Sequence, residues 1–250
     1  IVSCSRRETA IQILQKTIGT IDTIESIYYK QDMSRTNPQN TNDTIKRFRE
    51  MYFKRLISDS IVGVKGHWYM YLNDEENVIF EDIYDGNKLI RKNNRDKVAR
   101  IYDLVKYPDF KKNHFWSHNT LYGMQHEFEF ILSNDESFII SRLKDTVLNN
   151  KECYQIKILL ENKTTMPGFA IKLENTEGSI SCTIYYIDKE TFYPVGMKGE
   201  NYSIDNPERK IFIYQRYYDI KFNMTINENI QFNTSNESIA GYEKIEINPE

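Results

Sequence analysis

The sequence predicts a β-rich α+β fold built on a broad, strongly curved antiparallel sheet. Three observations point to it. Residues 147–222 read as four or five long strands joined by tight turns. Within them apolar and polar residues alternate at the period of two that a half-buried strand requires. Tyr (18) and Phe (13), both strand formers, are abundant, while Gly (10) and Pro (6) are few. Strands this long in sequence-adjacent hairpins twist and curl. A curled sheet with one apolar face encloses a space, and what fills that space is the functional question.

The first residues, Ile1-Val2-Ser3-Cys4-Ser5, match the end of a bacterial lipoprotein signal, in which the Cys becomes the lipidated N-terminus. On that reading Cys4 is an acyl anchor, and residues 1–8 are signal tail and tether. Ile11, Leu14 and Ile18 fall at helical spacing behind Thr9, a good cap, and predict a short helix packed on the sheet. Residues 21–30 are the first strand, and residues 34–44, rich in Asn and Thr around Pro38, read as a polar loop. Arg47, Arg49, Met51, Phe53 and Arg55 interleave charge with apolar groups in a second strand. We read that charge as a solvated edge or outer face rather than an anion site.

Residues 64–72 place Trp68, Met70 and Leu72 on one face and His67, Tyr69 and Tyr71 on the other, so both faces carry rings to cover. Asp85-Gly86-Asn87 makes a hairpin turn between residues 78–84 and 88–91. Val98, Ile101, Tyr102 and Val105 fit a helix or a bulged strand that Pro108 ends. Phe115, Leu121, Met124, Phe128 and Leu132 mark a second helical region near 112–132, which Gly123 weakens.

In the long meander, Asn149-Asn150 suits a hairpin because Asn tolerates positive φ. Phe169, Ile171 and Leu173 share a face, residues 175–178 read as a turn, and Ile180, Cys182, Ile184 and Tyr186 share the next apolar face. Residues 188–191 turn again, and Phe212, Tyr214, Tyr218, Ile220 and Phe222 fall in one register of the last strand. Beyond it the chain is Asn-rich, and residues 225–250 read as a final strand or a linker after a main domain of residues 9–224.

The net charge of −3 gives no concentrated basic field for nucleic acid. No apolar run reaches the ~18 residues of a spanning helix. The three cysteines leave one unpaired. Alternation puts Cys182 on the apolar face, as a small buried hydrophobe, and Cys153 on the polar one, which disfavours a bridge between them. His114, His118 and His126 share a helical stripe, but no His-Glu-x-x-His pattern accompanies them, so no metal is expected. Thioredoxin-type Cys-x-x-Cys pairs, nucleophile elbows and Gly-rich phosphate loops are missing from the sequence. No catalytic residue or cofactor is assigned.

The order of these elements, with Tyr84-Asp85-Gly86, the run Val147-Leu148-Asn149-Asn150-Lys151-Glu152-Cys153-Tyr154 and the run Tyr186-Ile187-Asp188-Lys189-Glu190-Thr191-Phe192-Tyr193-Pro194-Val195, resembles the outer-membrane lipoprotein-sorting (LolA/LolB-like) superfamily, in the lipoprotein form found in Bacteroidetes. The resemblance implies an unclosed barrel with helices on its concave side and an apolar cavity that receives lipid or an acyl chain. It implies a non-catalytic protein, lipid-anchored on the periplasmic side of a cell-envelope membrane. Candidate ligand-binding residues are Trp68, Met70, Leu72, Trp116, Leu121, Met124, Phe128, Phe212 and Tyr214, each of which could equally be plain core. The alternative is the N-terminal accessory domain of a TlpA-type thiol–disulfide oxidoreductase whose catalytic domain is absent from this chain.

Overall fold

Thr9 and Gln12 start the first ordered element by capping each other: the Thr9 hydroxyl accepts from the Gln12 amide, and the Gln12 side chain accepts from the Thr9 amide. The computed structural model describes residues 8–37, 39–59, 61–72, 77–113, 121–166 and 172–248. The first helix, α1 (Ala10–Asp22), buries Ala10, Ile13, Leu14, Thr17 and Ile21. Its apolar stripe is rotated from the one expected, since Ile13 is fully buried and Ile11 is 40% exposed. The last carbonyls of α1 need donors, and Arg55 supplies one, donating to Ile21 O (2.8 Å) and, just past the helix, to Ile24 O (3.1 Å).

The strands are β1 (Ser26–Asn37), β2 (Asn40–Arg55), β3 (Val64–Leu72), β4 (Phe80–Tyr84), β5 (Lys88–Asn93), β6 (Val98–Asp103), β7 (Ile139–Arg142), β8 (Thr146–Leu148), β9 (Lys151–Met166), β10 (Lys172–Asp188), β11 (Pro194–Ser203), β12 (Asn206–Phe222) and β13 (Glu243–Glu246). Between β6 and β7 come α2 (Asp109–Asn113) and α3 (Leu121–Ser133), and α4 (Glu228–Gln231) precedes β13. One sheet runs β13-β6-β5-β4-β3-β2-β1-β12-β11-β10-β9-β7, with β8 paired to β9. Every pairing is antiparallel except β13 with β6. The sheet does not close, and its ends are β13 and β7. It curls around α1 and α3, whose apolar faces merge with inward side chains of β1–β5, β9, β10 and β12 in one core. This is the half-barrel with helices on its concave side.

Several local expectations are corrected. Residues 34–44 are not a loop: β1 runs to Asn37 and β2 begins at Asn40, so the two form one long hairpin. Of the two readings left open around residues 98–105, the strand is the one found, at 98–103. Residues 175–178 do not turn the chain. They form an irregularity inside β10, where Gly178 has φ +73° and its amide donates to Asn162 Oδ1 (2.9 Å). Asn149 and Asn150 do take positive φ (53° and 60°) and form the β8–β9 turn.

The outer face is covered on one side by residues after β12. Glu228 pairs with Lys54 and Lys65, the Gln231 carbonyl meets His67 Nδ1 (2.6 Å), and Ile239 packs on Ile90 and Ala99. This strap ends in β13 against β6 and explains the rings found on both faces of β3. On the other side the β8–β9 hairpin folds back over β10–β12: Asn149 Nδ2 donates to Tyr217 O (3.0 Å), and Leu148 sits over Gly196, where a Cβ would stand 2.8 Å from it. That cover buries Cys153, while Cys182 is half-buried. The burial expected for the two cysteines is thereby reversed, although both lie on the outer face, and both are free thiols. Cys4 lies outside the described residues. Among the described residues no helix is long and apolar enough to cross a membrane.

Candidate functional site

Side chains of β2 alternate strictly, so Arg47, Arg49, Met51 and Phe53 share one direction. Phe53 is fully buried in the core under α3, in a stacked contact with Trp68 and an edge contact with Tyr122. The direction is therefore inward, and the arginines face the concave side with it. The expectation that their charge marks an outer face is overturned. Alternation gives which residues share a face and leaves open which face that is.

Arg47, Arg49 and Met51 line a cavity of about 410 Å³ on the inner face of β2–β6, with Met51, Trp68, Met70 and Phe80 as its apolar wall and Arg47, Arg49, Arg91, Lys92, Arg100 and Asp82 as its charged lining residues. The register explains the set: Met51 stands opposite Trp68, Arg49 opposite Met70, Met70 opposite Phe80 and Asp82 opposite Arg91. Arg91 Nε donates to Asp82 Oδ2 (3.1 Å). Burial pushes the Asp82 carboxyl above its ordinary value, and the neighbouring Arg91 and Arg49 charges act against that rise. Arg35, on β1, is diagonal to Arg47 across the β1–β2 pair. Nε atoms of Arg35, Arg47 and Arg49 are shielded from solvent and have no hydrogen-bond partner. Burial holds the Arg49 guanidinium down to about 10, with the Arg47 charge as the next cause. Arg47 is lowered by burial and by Arg35.

A polar chain runs from this cluster into the core. Arg49 Nη1 donates to Gln31 Oε1 (3.3 Å), Gln31 Nε2 donates to Gln215 Oε1 (3.0 Å), and the Tyr217 hydroxyl donates to the same Gln215 oxygen. These buried amides fix the Arg49 side chain across β1 and β12. On the far wall, α3 contributes Glu127, whose carboxyl accepts from the Tyr185 hydroxyl (2.6 Å) and is raised by burial.

The candidate residues separate into three sets. Trp68 and Met70 line the cavity. Met124 and Phe128 are buried in the core, Phe128 with its ring 4.8 Å from Tyr185, so they wall off the hollow instead of opening into it. Phe212 and Tyr214 lie on the outer face. Gln215 and Tyr217 point inward to Gln31 and Tyr29, so the even-numbered residues before them point out, as Arg216 does in its pair with Asp32. The single register expected for 212–222 is broken at Asp219 (φ 52°), where β12 carries one extra residue opposite β1, and only Ile220 and Phe222 beyond that bulge turn inward. Trp116 falls outside the described residues, as do the side chains of Leu72 and Leu121. His114 and His118 also lie outside them, and among the described residues no cluster suited to a metal is found. What sequence reasoning missed is the arginine group, and its signal was the four-residue alternation of Arg47, Arg49, Met51 and Phe53.

No family model matches this chain, and no curated protein matches it. Among solved structures it is similar to the lipoprotein LppX of Mycobacterium tuberculosis, at 9% identity over 87% of this chain and 97% of that one, with a TM-score of 0.49. It is also similar to LprF of Mycobacterium bovis, at 10% identity over 87% and 95% of the two chains (TM-score 0.48). A putative outer membrane lipoprotein-sorting protein domain of Vibrio parahaemolyticus matches at 11% identity over 89% and 95% (TM-score 0.36). These are distant likenesses of fold.

Proposed function

We propose that this protein is a non-catalytic binder of a lipid-like amphiphile, held on the concave face of the half-barrel, and that it is tethered in the cell envelope through Cys4. The observation that carries the reading is the inner cavity of about 410 Å³, which keeps Met51, Trp68, Met70 and Phe80 along one wall instead of filling the hollow with side chains. Its volume lies in the range of small-ligand sites, about 300–1,000 Å³. Met and Trp offer an adaptable, polarizable surface to an alkyl chain, and each methylene transferred from water contributes about 0.8 kcal/mol. The charged groups at the cavity suit binding better than proton transfer, because arginines stay protonated at neutral pH and Asp82 is engaged by Arg91.

The test is native mass spectrometry of the full chain with a neutral C12 glycerol ether, paired with thermal shift. We expect a retained adduct and a raised Tm, both weakened at least fivefold by Met70→Trp, which fills the cavity. Absence of adduct and shift with this probe and with its anionic counterpart refutes the reading. Incorporation of labelled palmitate, lost in Cys4→Ser, tests the tether separately.

A further inference from the structure

We infer that Arg35, Arg47 and Arg49 form a binding subsite for an acidic group, phosphate or carboxylate, at the end of the cavity toward the β1–β2 turn. The inference rests on the amphiphile reading above and names the ligand's head. A fully hydrated arginine needs no explanation, but these three are turned inward, and the Nε of each is shielded from water with no partner. Buried donors are nearly always satisfied, and an unsatisfied one is unfavourable. Three of them side by side, on neighbouring strands, mark donors that await an acceptor.

The charges make the same point. Arg35 opposes the charged form of Arg47, and Arg47 opposes that of Arg49, so the cluster disfavours itself when empty. The carboxylate that lines the cavity, Asp82, is taken by Arg91 at 3.1 Å. Arg100 adds a further cation to the same wall. The chain as a whole is acidic, with net charge −3, so this positive pocket is a local arrangement and not a by-product of composition.

Guanidinium forks match carboxylate and phosphate oxygens in pairs, which is why arginine rather than lysine serves such sites. Along β2 the inward side chains pass from Arg47 and Arg49 to Met51 and then to the core residue Phe53. That gradient fits an anionic head beside the arginines with its chain on Met51, Trp68 and Met70.

Three probes test this on the full chain at fixed ionic strength: dodecyl phosphate, the neutral C12 glycerol ether, and inorganic phosphate. We expect dodecyl phosphate to bind at least tenfold more tightly than the ether. Arg47→Gln and, independently, Arg35→Gln should each remove most of that preference, and Arg35→Gln, which stands outside the cavity lining, should leave ether binding intact, which also shows that this variant folds. Inorganic phosphate that binds wild type and is lost in Arg47→Gln supports the subsite as well, and its affinity relative to dodecyl phosphate tells a free ion from a lipid head. Equal affinity for the two C12 probes, or a preference unchanged in both variants, overturns the inference and leaves the amphiphile reading standing. Binding of inorganic phosphate, lost in Arg47→Gln, without binding of either C12 probe does the reverse.

Discussion

Replacing Arg49 by Met should stabilise the ligand-free protein while weakening its hold on an anionic ligand. The Arg49 guanidinium is held below its ordinary value, down to about 10, chiefly by burial and then by the Arg47 charge. A lowering of that size corresponds to about 3 kcal/mol against the charged form in the fold. The residue is only half-buried, so solvent screening reduces that to roughly 1–2 kcal/mol. Met keeps the length of the apolar stem and removes the charge. Against this stands the hydrogen bond to Gln31, 3.3 Å long, whose loss costs about 0.5–1 kcal/mol. Gln31 keeps its bond to Gln215, and Asp82 keeps Arg91. The net expectation is a gain of about 1 kcal/mol, or roughly 2–4 °C in Tm for a chain of this size. Calorimetry at low ionic strength reads it, and the gain should shrink in about 0.5 M salt as the repulsion from Arg47 is screened. Dodecyl phosphate should then raise the Tm of wild type more than that of the variant. A ligand-free Tm lowered by several degrees would mean that Arg49 is a structural residue, and the reasoning from its unpaired charge would be wrong.

Truncation on the two faces of the half-barrel should differ sharply. Phe128→Ala, at a fully buried ring packed on Tyr185, should cost about 3–5 kcal/mol in urea unfolding, whereas Phe212→Ala on the outer face should cost less than about 1; equal losses would refute the facing assigned to β12. The strap over the outer face should loosen in acid. Glu228 is pushed from 4.5 down to about 2 by its bonds to Lys54 and Lys65, so its contribution is present above pH 4.5 and is lost as pH falls through about 2. Amide protection factors across residues 223–246, which remove the intrinsic pH dependence of exchange, should fall in that window and stay flat from pH 5 to 7. Burial also pushes the Cys153 thiol up to about 11. Alkylation at pH 8, mapped by mass spectrometry, should therefore leave Cys153 unmodified in the native state and label it fully after denaturation.

The sheet was legible in the sequence because strand period, turn chemistry and length agree locally. Asn149-Asn150 and Asp85-Gly86 turn where turn chemistry places them, and the long strands β9–β12 follow from alternation. What was not legible is the sign of each face. Alternation groups Ile180, Cys182, Ile184 and Tyr186 correctly, yet the fully buried residues of β10 are Tyr185 and Ile187 between them. With rings and β-branched residues on both sides, the apolar count does not choose. The choice is made by distant cover: the β8–β9 hairpin and the residue 223–246 strap bury parts of the outer face that would otherwise be polar. A bulge compounds the difficulty, since one extra residue at Asp219 inverts the phase between Tyr214 and Phe222.

The same ambiguity hides the site. A strand reading Arg-x-Arg-x-Met-x-Phe is assigned charge-outward by the rule that charges stay solvated, and that rule holds for most such strands. In this chain Phe53 decides otherwise: its ring belongs under α3, and the pleat then carries Arg49 and Arg47 inward with it. To turn them out, β2 would have to slip by one residue against both β1 and β3, breaking the pairs of Tyr29 with Met51 and Met51 with Trp68. The apolar register of the core thus holds the guanidinium groups in an environment they would not choose. A sequence that accepts that conflict where Lys54 and Arg55, three and four residues beyond Met51, find partners has kept an unfavourable arrangement for a reason outside stability. An anion entering the cavity removes the conflict, which is why the empty and filled states should differ most at Arg47 and Arg49.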